Sequence, residues 1–110
     1  MTYQHKTLAN GEWKHKPFLE KMANIGSEVE RTIAWKEKDN EEYSKLAFTR
    51  SLELFDLTLN DKLSLPELKE VARAREGWVD FIKYGNMFRS TKEQWRQYFL
   101  QLLFAYKVSV

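Results

Sequence analysis

The sequence predicts an all-α fold: an up-down-up-down four-helix bundle preceded by a short irregular N-terminal arm. Three observations lead there. Four stretches carry apolar residues at helical spacing. The breaks between them carry helix-start patterns, Asp39 with Glu42, Ser64 with Glu67 and Ser90 with Glu93. Only four glycines and two prolines occur, which leaves helix-forming residues in long uninterrupted runs. A chain of 110 residues makes one domain with one core, and 43% hydrophobic with 15% aromatic residues argues against disorder. The reading divides the chain into an arm over 1–16 and a bundle over 17–110.

The arm, MTYQHKTLANGEWKHK, shows no sustained period and turns at Asn10-Gly11. It is basic, and reads either as a segment that touches nucleic acid or a partner, or as a loose terminus with Trp13 pinned on the bundle. The first helix starts at Pro17 and runs to about Lys38, with Phe18, Met22, Ile25, Val29 and Ile33 as its stripe. Ala23 and Gly26 are small enough to let another helix approach, and Glu28 flanks the stripe without pointing fully to water. A tight turn at Asp39-Asn40 makes helices one and two antiparallel; one continuous helix is the competing reading, since no glycine or proline enforces the turn.

The second helix, 41–59, organises the rest. At about 100° per residue, Tyr43, Leu46, Ala47, Leu54 and Leu57 fall on one side, and Phe48, Leu52, Phe55 and Leu59 on the other. A helix with two apolar faces must be covered twice, by its own chain or by another molecule. Ser64 and Glu67 then cap a third helix, with Leu63 and Leu68 as a hydrophobic staple and Pro66 in the first turn. Its stripe is Leu68, Val71, Ala72, Val79 and Ile82, with Trp78 at the edge. Gly85 suits its termination. The fourth helix carries Trp95, Tyr98, Phe99, Leu102 and Tyr106 on one side and leaves Leu100 and Phe104 on the other.

Several chemistries are excluded or weakened. There is no cysteine, so no disulfide, thiolate metal site or cysteine nucleophile, which suits a cytoplasmic protein. Net charge is +2 with the signs interleaved, so only weak binding to nucleic acid stays open. No apolar run approaches membrane-spanning length. The only histidines, His5 and His15, lie in the arm, so the helices hold neither a Glu-x-x-His metal motif nor a histidine base. No phosphate-binding glycine loop is present, and no metal or cofactor is expected.

Two residue sets remain. Arg50 and Arg75 each sit on an apolar stripe, with Glu28 and Glu53 at stripe edges as natural partners. They read as a ligand-binding cluster for a phosphate or carboxylate, or as a closed salt-bridge network that fixes helix register. Phe48, Leu52, Phe55 and Leu59, with the surplus Leu100 and Phe104, read as a self-association interface, a homodimer first, or as the interior of a central helix.

The stretch MANIGSEVERTIAWKEKDNEEYSKLAFTRSLELFDLTL, with RAREGWVDF, resembles a family of small helical proteins of prokaryotes over about residues 17 to 106. No activity comes with that resemblance. More loosely, the size and helix count are similar to HEPN bundles and the partner subunits of minimal nucleotidyltransferases. The catalytic HEPN pattern needs an arginine followed within a few residues by a histidine, and this chain has no histidine after His15. The expectation is therefore a non-enzymatic interaction or assembly module. The alternatives are a partner or substrate-binding subunit of a nucleotide- or RNA-handling enzyme, or a small enzyme using the arginine–glutamate set.

Overall fold

A computed structural model describes residues 12–109. Four helices follow a 3₁₀ turn at Glu12–His15: α1 (Phe18–Glu37), α2 (Glu41–Leu59), α3 (Leu65–Lys83) and α4 (Lys92–Ser109). Among the described residues there is no strand. Consecutive helices run antiparallel, and α1 lies between α2 and α4 along most of its length. Residues 1–11 of the expected arm lie outside the described residues, His5 with them. Trp13, in the 3₁₀ turn, is fully buried, and its indole N–H donates to Thr58 Oγ1 at 3.0 Å.

Each break has a local cause. At the first, Asp39 adopts a left-handed backbone (φ 58°), a conformation short acidic side chains tolerate, and this reverses the chain without glycine. The cap of α2 is therefore Asn40, which accepts from Tyr43 N, rather than Asp39. Ser64 and Glu67 form the expected reciprocal capping box of α3. The start of α4 is one residue later than expected: Thr91 and Gln94 bond reciprocally, because Ser90 is held in the preceding loop by Asn86 and Trp95.

The two apolar stripes of α2 prove to be the flanks of one broad buried face. Its midline is Ser44, Ser51 and Thr58, seven residues apart and all buried. Small hydroxyl side chains let neighbouring helices close in, and each satisfies itself on a backbone carbonyl: Ser44 on Thr32, Ser51 on Phe48, Thr58 on Leu54. Two of them also receive buried indoles, Trp78 onto Ser51 at 2.9 Å and Trp13 onto Thr58. Phe48 and Phe55 stand on one flank and Ala47 and Leu54 on the other, all in the core, while Tyr43 and Leu46 face water.

In α3 the buried line is Val71, Ala74 and Trp78, so Trp78 is central, not marginal, and Ala72 is exposed. The indole of Trp78 meets Trp95 of α4 at 5.5 Å between ring centroids in an edge-to-face contact. Gly26 sets the α1–α4 spacing: a Cβ there would stand 2.9 Å from Phe99 Cβ. At one end of the bundle, Arg96 bridges Glu30 and Glu37 of α1 at 2.8–3.0 Å, and Lys92 adds a contact to Glu37. At the other, Lys21 of α1 pairs with Asp61, both nearly fully buried.

Candidate functional site

Two members of the expected arginine–glutamate set, Arg75 and Glu28, take partners outside it. Arg75 leaves the core face and pairs with Asp56 on α2 at 2.9 Å, both half-exposed, because the buried line of α3 is rotated toward Trp78. Glu28 is buried, but its partner is Arg31 one turn on, at 2.7 Å. Arg50 is half-buried rather than central to the core, and Glu53 is buried; neither lacks a partner. Among the described residues, Lys21 and Asp61 form a buried ion pair. Sequence reading missed it because Lys21 sits beside the stripe residue Met22 and reads as a solvated lysine.

The expected interface residues separate into two groups. Phe48 (4% exposed) and Phe55 (0%) are core, and Leu52 and Leu59 pack against it. Phe48 and Phe55 are covered by their own chain, because the hydroxyl midline of α2 lets flanking helices close over them, whereas Leu52 and Leu59 are only partly covered. Leu100 (58% exposed) and Phe104 (67%) do face outward, and Val108 continues their line at four-residue steps. From Gln97 to Tyr106 α4 carries no charged residue. Beside this line, a shallow hollow of about 450 Å³ lies between α1 and α4, floored by Ala23, Gly26 and Leu103.

A larger opening lies on the side where α3 and α4 meet through side chains instead of close backbones. It is an open groove of about 980 Å³. Ala74 and Gly77 keep the α3 wall low, and a Cβ at Gly77 would come within 3.3 Å of the Trp95 ring. Trp95 and Tyr98 form the α4 wall, and Phe88 closes one end. The Tyr98 hydroxyl donates to Glu70 across the groove at 3.2 Å; burial first, and then the Glu70 carboxylate, push its pKa well above the ordinary phenol range.

The loop at that end is built with care. Gly85, Asn86 and Arg89 all have positive φ. The buried Asp80 carboxylate accepts from the backbone N–H of Met87 at 2.9 Å and Phe88 at 3.1 Å. Asn86 bridges both backbone groups of Ser90, whose hydroxyl receives the Trp95 indole. The outcome of this bonding is that Met87 (82% exposed) and Phe88 (63%) are held in water.

Among the described residues no group of three or more histidine, cysteine or acidic side chains is placed to hold a metal. No helix among them is long and apolar enough to cross a membrane. No family model, curated protein or solved structure matches the chain. The resemblances stated above therefore rest on the quoted residues alone.

Proposed function

We propose that the chain is a non-enzymatic interaction module that self-associates through the outer face of α4. The observation that carries this reading is the outward line Leu100, Phe104 and Val108 beside the α1–α4 hollow. Protruding apolar side chains and a hollow floored by Ala23, Gly26 and Leu103 share one face, so a two-fold axis seats each copy's side chains in the other's hollow. The uncharged run from Gln97 to Tyr106 fits the same geometry, since a two-fold axis brings like residues together and like charges would repel. A cytoplasmic setting belongs to the reading and is suited by the cysteine-free sequence.

Light scattering across a concentration series is the test. The expected result is a mass approaching twice 13.2 kDa at high concentration. The double variant Leu100→Glu, Phe104→Glu is expected to remain at one chain's mass with its helicity intact. A wild-type chain that stays monomeric at high micromolar concentration ends the self-association reading.

A further inference from the structure

We draw no further inference here: the strongest candidate, the apolar tip of the α3–α4 loop at the end of the groove, where Tyr84, Met87 and Phe88 stand exposed, carries none because nothing in the structure shows what covers it.

Discussion

Single residues carry the specificity of this core through hydroxyl–indole pairs. Trp13, Trp78 and Trp95 each donate their N–H to a serine or threonine, Thr58, Ser51 and Ser90 in turn. A buried indole N–H without an acceptor costs about 1–3 kcal/mol, so Ser51→Ala is expected to lower stability by that amount. The exposed Ser27→Ala is the control, and urea midpoints compare the two. Equal midpoints would show that the Trp78 N–H needs no partner. The Lys21–Asp61 pair makes a second prediction at this scale. Asp61→Ala leaves a buried ammonium unpaired and is expected to cost about 3–5 kcal/mol, whereas Lys21→Met combined with Asp61→Leu should recover most of the loss. A thermal melt that barely moves for Asp61→Ala would mean that the ammonium finds water. Neither feature is legible in the sequence: serine and threonine count as polar in any stripe, and only their seven-residue repeat beneath a tryptophan-rich chain hints at a buried line.

At the scale of elements, the helices and their breaks are legible because their signals are local. The capping box at Ser64–Glu67 needs nothing beyond four residues, and it forms as read. The Asp39 and Ser90 starts each slip by one residue because the neighbouring chain reversal claims the expected cap. Docking between elements is less legible. The α1–α4 clasp depends on residues far apart in the chain, with Arg96 reaching Glu30 and Glu37. Arg96, followed by Lys92, holds the Glu37 carboxyl down to about 2, from 4.5. A carboxylate with a lowered folded-state pKa contributes stability that is complete above the ordinary value and is lost as pH falls toward the lowered one. The stability difference between wild type and Glu37→Gln should therefore be full at neutral pH and shrink between about pH 4.5 and 2. Paired thermal melts across that range check it. A difference that stays constant would detach Glu37 from the clasp.

At the scale of the molecule, the unequal spacing of the helices decides which apolar residues remain outside. Helix α1 is clasped on both sides, whereas α3 and α4 stand apart and meet through Trp78 and Trp95. Six residues looked equivalent as surface candidates when only helical periodicity was available. Packing places Phe48 and Phe55 inside, tucks Leu52 and Leu59 against them, and leaves Leu100 and Phe104 out. Charging the first kind and the second kind should therefore have opposite consequences. Phe55→Asp is expected to abolish cooperative unfolding, while Leu100→Glu with Phe104→Glu leaves the melt in place and changes only the mass in solution. Circular dichroism alongside light scattering separates the two. A folded Phe55→Asp variant would mean that α2 tolerates a charge on its buried face. Periodicity shows how many apolar faces a helix has, but coverage depends on how far its neighbours spread, and no four-residue pattern encodes that distance.

The loop that holds Met87 in water also exposes its thioether to oxidants. Met22 is fully buried and shielded by the core, so the two side chains should differ widely in their rate of sulfoxide formation. Peptide mapping by mass spectrometry after mild peroxide treatment is expected to find Met87 converted while Met22 is still reduced. Oxidation would place a polar, chiral sulfoxide at the tip of the loop without disturbing the backbone bonds to Asp80 beneath it. Among the described residues, a chain without cysteine would thus keep one reversible redox-sensitive atom on its surface, beside the groove.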